Sequence, residues 1–170
     1  MKVGRITISD RASAGVYADL SGPEIEKALV EVFPEAHFES TVVPDEVERI
    51  RQELLRFCDS LRLDLVITTG GTGITVRDVT PEATRPILEK ELPGFGEAMR
   101  MASFANINTA ILSRAIAGVR GRSLIVNLPG KPSAVRECLA VLAPAIREGV
   151  AHLRGEDPHG EVVRKETELS

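Results

Sequence analysis

At 170 residues, with 43% hydrophobic and 27% charged side chains, the chain has the length and composition of one soluble domain with a proper core. A net charge of -4 argues against general nucleic-acid binding, which favours a basic face, and the aromatic content of 4%, with no Trp, argues against a base-stacking surface. Cys58 and Cys138 stand apart with no CxxC or Cys/His cluster, no apolar run approaches the ~20 residues that span a bilayer, and no secretory leader precedes the first strand; a cytoplasmic, membrane-free protein without structural zinc is expected.

The β-branched stretch Val3 to Ser9 reads as a first strand ending at Ser9-Asp10. Ser21, followed by Pro23 and Glu24, has the pattern of an N-cap, and Ile25, Ala28, Leu29, Val32 and Phe33 then share one helical face up to Pro34. Phe38 to Val43 is a second strand ending at Pro44-Asp45, and Val47, Ile50, Leu54, Cys58 and Leu61 mark the next helix. Leu63 to Ile67 is a buried third strand that runs into the glycine turn of Thr68 to Gly73. Thr80-Pro81 opens a helix that breaks at Leu92-Pro93-Gly94, and another helix covers about 95–105. Thr109 to Val119 and Ser123 to Asn127 read as two strands joined at Gly118 to Gly121, and a final helix buries Val135, Leu139, Leu142, Ile146 and Val150. Strands alternating with helices imply an α/β fold, a mostly parallel sheet covered on both faces. One domain over residues 1–154 is expected, with a polar, charged tail over 155–170.

The richest segment is Thr68-Thr69-Gly70-Gly71-Thr72-Gly73 leading to Asp78-Val79-Thr80-Pro81-Glu82. Bare glycine backbone and a helix N-terminus suit an anionic group such as a phosphate. The carboxylate of Asp78 would repel that phosphate unless a divalent cation lay between them. Better-known phosphate loops fail here. A Walker motif ending at Gly130-Lys131 has Ile125 in place of its first glycine and Pro132 in place of Ser/Thr. A dinucleotide fingerprint starting at Gly71 has Val76 where its third glycine belongs.

Asp10, Asp45 and Asp78 all follow strand ends, the edge where doubly wound sheets bind ligands. If the first strand lies between the second and third, the outer strand ends are about 10 Å apart, close enough for their aspartates to share a hydrated Mg2+ or flank a polyphosphate. Each has a plainer reading: Asp45, with Glu48 three residues on, as an N-cap; Asp10 as a cap for the turn at 11–14; Asp78 as a tie for its own turn, since Thr80 already supplies a cap. The second loop, Asn127 to Ser133, repeats the logic: Pro129, Gly130, Lys131 and Ser133 sit at a strand end and open a helix, where free N–H groups, a hydroxyl and an ammonium can meet an anion. The alternative is a simple strand-to-helix turn. His37, His152 and His159 show no ligand spacing, and no Ser/His/Asp arrangement is visible.

The blocks Ile8 to Tyr17, Pro44-Asp45-Glu46, Thr68 to Gly73 with Arg77 to Pro81, Pro93 to Glu97, Ala110 to Arg114 and Asn127 to Gly130 occur in order between about residues 5 and 150. With these blocks the chain closely resembles the molybdopterin adenylyltransferases of molybdenum-cofactor biosynthesis, the bacterial MogA type related to the gephyrin G domain. The resemblance implies a three-layer α/β/α sandwich, usually assembled as a homotrimer. It implies transfer of AMP from Mg-ATP onto the terminal phosphate of molybdopterin, a pterin that carries a dithiolene, with release of pyrophosphate. By position, the two aspartates important to such enzymes fall on Asp45 and Asp78, which would hold Mg2+. Nucleotide and pterin binding would fall to Ser9, Asp10, Thr69, Gly70, Gly71, Thr72, Gly73, Pro129, Gly130, Lys131 and Ser133. Lys131 departs from the polar residues associated with its position. Contacts with other proteins of the pathway are also implied, and some members of this fold bind the pterin without transferring AMP.

Overall fold

A computed structural model describes residues 1–156; the tail expected from 155 onward, and His159 within it, lie beyond the described residues except for Gly155 and Glu156. Six strands form one sheet in the order β2-β1-β3-β6-β5-β4. These are β1 (Lys2–Ile8), β2 (His37–Val43), β3 (Leu65–Thr69), β4 (Lys90–Glu91), β5 (Ala117–Arg120) and β6 (Ser123–Leu128). Strands β2, β1, β3 and β6 are parallel, in a register that sets Ile6 beside Thr68 and Thr68 beside Asn127. β5 and β4 complete the edge antiparallel. The expected position of the first strand, between the second and third, is found.

Period-two alternation divides the strands between two cores. Val3, Leu65, Ile67, Leu124 and Val126 face α2 (Ser21–Val32), α5 (Pro93–Phe104) and α6 (Pro132–Arg154). Ile6, Ile8, Val66 and Ile125 face α3 (Val47–Leu55), its continuation as a π-helical turn (Arg56–Ser60), and the short α4 (Thr80–Thr84). This is the expected α/β/α sandwich. Every residue of β3 is buried, as a strand covered on both faces requires. Phe57 is the largest fully buried side chain, and its ring lies against Gly4, where a Cβ would collide with it. No helix among the described residues is long and apolar enough to cross a membrane.

Three local expectations are corrected. Ser21 does not cap α2: it lies in the first turn, and Asp19 takes the capping role, its Oδ1 accepting from the Gly22 amide at 2.9 Å. Asp19 is itself held by Arg5, Nη1 to Oδ2 2.9 Å, a partner fourteen residues away. The strand expected from Thr109 to Val119 is strand only from Ala117. Asn108–Leu112 forms a 3-10 turn in which Ile111 and Leu112 are exposed, so apolarity there does not signal a sheet position. The carbonyls of Ser113 and Ala115 bond to Arg100 rather than to a strand. The helix expected from Thr80-Pro81 to Leu92 ends at Thr84, where Pro86 follows with no amide to donate; a 3-10 turn, Arg85–Ile87, and then β4, two exposed residues with too little pattern to read in sequence, take its place.

Phe57→Ala removes a whole ring from a closed core and is expected to lower unfolding stability by about 3–5 kcal/mol in denaturant titration. A loss below about 1 kcal/mol would mean that this core collapses around the gap.

Candidate active site at the C-terminal strand edge

The ends of β1, β2, β3 and β6 bring Ser9-Asp10, Pro44-Asp45, the glycine turn and Pro129-Gly130 to one edge. The turn is built for close approach. Gly70 has φ +99 and packs so that a Cβ would strike the Ile8 carbonyl; Gly71 has φ +62, and a Cβ there would meet Thr80 Oγ1 and stand 3.2 Å from Asp45 Oδ1. A side chain at either position is excluded by both conformation and space. Gly130 lies over Gly70, its Cβ direction meeting Gly70 Cα at 3.3 Å. Thr69 donates its hydroxyl to the Pro129 carbonyl at 2.8 Å, which joins the two loops.

Thr80 is not the cap expected of it. Its Oγ1 donates to the Gly70 carbonyl at 2.8 Å and its amide to Gly71 O at 3.0 Å, so it pins the turn from below. A buried polar floor continues from there: Thr84 Oγ1 donates to Thr80 O, and Asn127 Nδ2 donates to Thr68 Oγ1 at 3.0 Å and Thr84 Oγ1 at 3.2 Å. Arg114 closes the other end, its amide donating to Thr72 O, Nε to Gly73 O at 2.6 Å and Nη2 to Asp78 O at 2.6 Å, while its guanidinium pairs with Glu82.

Asp10 and Asp45 bond reciprocally. The Asp10 amide donates to Asp45 Oδ2 at 2.8 Å, and the Asp45 amide donates to Asp10 Oδ1 at 3.0 Å. Neither carboxylate is therefore the helix cap that its sequence position suggested: Ser9 Oγ caps the short helix α1 (Asp10–Ser13), and α3 begins after Glu46 without a side-chain cap. Arg77 holds the Asp10 carboxylate with two bonds, 2.9 and 2.6 Å. Asp78 ties its own turn, Oδ2 accepting from the Thr75 amide at 2.8 Å and hydroxyl at 2.7 Å.

The three carboxyl groups titrate differently. The Arg77 guanidinium holds Asp10 below the ordinary carboxylate range. Partial burial pulls Asp78 up, but the Thr75 hydroxyl, the Thr75 and Gly73 amides and the charge of Arg114 together keep it low. Asp45 is pushed up, by burial first, with the neighbouring charges of Asp10 and Asp78 adding to it. Asp45 is thus the strained charge of the group.

Two concavities flank the second loop. One of about 320 Å3 is lined by Ser9, Asp19, Thr69, Gly70 and Gly130; the other, of about 340 Å3, by Arg100, Ser113, Pro129, Lys131 and Cys138. Lys131 is exposed and Ser133 half-buried on the first turn of α6. Ser9, Thr69, Gly70, Gly130 and Lys131 therefore border cavities, whereas Asp45 and Asp78 line neither and lie beside the turn itself. Sequence reading missed Arg77, Arg114 and Thr80 as site residues; all three lie inside the recognised blocks, but the partners of Arg77 and Arg114 are far away along the chain.

Among the described residues no cluster of three or more His, Cys, Asp or Glu side chains is arranged to hold a metal ion. The donors that do exist, the carboxylates of Asp45 and Asp78, suit a hard, largely hydrated cation that takes its other ligands from water and phosphate oxygens. They do not suit a closed metal site.

The profile of the family described as "Probable molybdopterin binding domain" matches residues 4–148. The chain is 53% identical over 147 residues to a protein of Helicobacter pylori named molybdopterin adenylyltransferase, covering 85% of this chain and 82% of that one. It is 42% identical over 153 residues to the Escherichia coli protein of the same name, covering 89% and 78%. A solved molybdopterin biosynthesis protein from Mycobacterium abscessus superimposes with a TM-score of 0.84 at 35% identity, over 91% of this chain and 96% of the other.

A raised carboxyl pKa in the folded state means that the native protein binds more protons than the unfolded chain between the two pKa values, so stability falls as pH rises through that window. Asp45→Asn keeps an acceptor for the Asp10 amide and removes the charge. It is expected to melt above the parent at about pH 8, the gain shrinking toward about pH 3, where an ordinary aspartate is protonated in both states. Thermal unfolding across that range checks it; a variant less stable at about pH 8 contradicts the assignment of strain to Asp45.

Proposed function

The chain belongs to this molybdopterin-binding domain family, and we propose that it is a molybdopterin adenylyltransferase. It transfers AMP from ATP to the terminal phosphate of molybdopterin. A phosphate oxygen of the pterin attacks the α-phosphorus of ATP, one P–O bond forms, the bond to the β-phosphate breaks, and pyrophosphate leaves. The observation that carries this reading is the approach of Asp45 to the bare backbone of Gly71, with Asp78 tied one turn further along. Two carboxylates beside a turn stripped of side chains suit a polyphosphate accompanied by a cation.

The chemistry asks for positioning and charge neutralisation, not for a protein nucleophile. Gly70 to Gly73 let phosphate oxygens reach the main chain. Ser9, Thr69 and Gly130 border one cavity and Pro129 the other, and these would take nucleotide and pterin; Asp10 lines neither and is held beside them by Arg77. Lys131 supplies an exposed ammonium at the mouth of the second cavity, and Ser133 a hydroxyl nearby. Asp45 and Asp78 would hold Mg2+, which, when bound, neutralises charge on the polyphosphate and the departing pyrophosphate. The strain on Asp45 favours this role, because a cation relieves a carboxylate that burial and two like charges disfavour.

The active unit in this reading is a single domain over residues 1–154, working in the cytoplasm and passing the adenylylated pterin to the protein that inserts the metal. A homotrimer is part of the proposal. Exposed Met101 and Phe104 on α5, Ile107 in the link after it and Ile111 on the 3-10 turn packed against α5 support an assembly surface there.

Purified protein is expected to release pyrophosphate from ATP only when both molybdopterin and Mg2+ are present. Asp78→Asn should lower kcat about 100-fold or more, equivalent to a few kcal/mol of lost charge stabilisation, while circular dichroism stays native. Full turnover by a folded Asp78→Asn protein would remove Asp78 from the mechanism. Pterin binding without any ATP consumption would instead identify a carrier.

A further inference from the structure

We infer that Arg77 is a positioning residue: a latch, closed on Asp10, that sets the reach between Asp45 and Asp78. The inference rests on the transferase reading above. Arg77 is joined to Asp78 by a peptide bond, and its guanidinium reaches back 67 positions to Asp10, Nε to Oδ2 at 2.9 Å and Nη2 to Oδ1 at 2.6 Å. Two parallel bonds between planar groups fix orientation as well as distance. Asp10 is then paired with Asp45, each amide donating to the other's carboxylate, 3.0 Å to Asp10 Oδ1 and 2.8 Å to Asp45 Oδ2. The two aspartates, which leave different strands, are therefore joined through Asp78, Arg77, Asp10 and Asp45 by a continuous path of one peptide bond and four hydrogen bonds.

Little else ties this side of the loop down. Ile74 and Val76 are 66% and 93% exposed, so no apolar packing anchors the crest of the turn. Arg114 grips the carbonyls of Gly73 and Asp78, the two ends of the segment, and leaves the span toward β1 to Arg77. Both members of the Arg77–Asp10 pair are about half exposed, a setting in which an ion pair adds little stability. What a two-bond clamp of this kind supplies is geometry. Substituting a residue that orients a metal ligand from behind costs ~10–100-fold in metal affinity or activity, and that is the range expected here.

The rival role for Arg77 is direct contact with substrate phosphate, and Asp10→Asn separates the two. Its amide oxygen can still accept from the Asp45 amide, but it gives up the charge and the second acceptor that the guanidinium needs. A latch predicts that Arg77→Ala and Asp10→Asn each raise the half-saturating Mg2+ concentration and lower kcat ~10-fold or more, with KM for molybdopterin little changed. It also predicts that the double variant is no worse than either single one. Arg77→Lys, which keeps charge without the fork, should stay close to Arg77→Ala. A phosphate contact predicts instead a near-native Asp10→Asn, an Arg77→Lys that recovers activity, and additive losses; that pattern overturns the latch.

Amide hydrogen exchange supplies a readout independent of turnover. In Arg77→Ala the amides of Asp10 and Asp45, each bonded to the other's carboxylate, should exchange ~10-fold faster or more, while those of β3 and β6 stay protected. Unchanged exchange at Asp10 and Asp45 overturns the inference even if activity falls. A wild-type protein that never releases pyrophosphate overturns the transferase reading alone, and the exchange measurement still decides the latch.

Discussion

The site depends on one feature of chain topology, the reversal of strand order between β1 and β3. From β1 the chain crosses to one side to make β2, then returns past β1 to make β3. The connections therefore leave the two central strands in opposite directions, and the sheet edge between them is left open. The candidate site is made of chain leaving that edge: Asp10 after β1, Asp45 after β2, the glycine turn after β3, Gly130 after β6. Complete burial of β3 sets the height at which the turn emerges. Gly70 and Gly71 then cross so close to Ile8 and Thr80 that no other residue fits.

Carboxylates gathered at such an edge repel one another, and the protein manages this unevenly. Asp10 is matched by a guanidinium, and Asp78 by a hydroxyl and amides of its own turn. Asp45 has the Asp10 amide and the more distant charge of Arg77, but burial and the charges of Asp10 and Asp78 outweigh them, and it alone of the three is pushed toward protonation. A carboxylate raised in this way, beside a bare backbone, is one whose charged form a nearby cation would favour. Beneath this, Thr80, Thr84, Thr68 and Asn127 make a buried polar floor that holds the turn to β3 and β6 without adding charge.

Much of this was legible in the sequence because it is local. Alternation and β-branching marked β1, an apolar β-branched run marked β3, and 3.6-residue spacing marked α2, α3 and α6. The glycine turn and the aspartates at strand ends could be found by order alone. What could not be read were bonds whose partners lie far apart in the chain. Arg77 meets Asp10 67 positions away, and Arg114 meets Gly73 41 positions away. Local capping rules misassigned Ser21, Asp45 and Thr80 because another group competed for each role: Asp19, two residues earlier, displaced Ser21 as the cap of α2, the Asp10 amide drew the Asp45 carboxylate away from its helix, and the Gly70 carbonyl took the Thr80 hydroxyl. Residues 108–112 failed for another reason, since apolar side chains that remain exposed mark a surface rather than a strand.

The two cysteines lie in the two cores, one on each face of the sheet. Cys58 and Cys138 are 6% and 2% exposed, and burial pushes the Cys58 thiol to about 11 and the Cys138 thiol upward as well. A thiol attacks disulfides and binds soft metals as its thiolate, and neither residue presents one at neutral pH. Cys138 borders a cavity yet stays protonated there. For a protein proposed to hold a ligand with two reactive sulfurs of its own, this amounts to chemical silence: the chain that would carry that sulfur pair offers no thiolate from Cys58 or Cys138 to exchange with it.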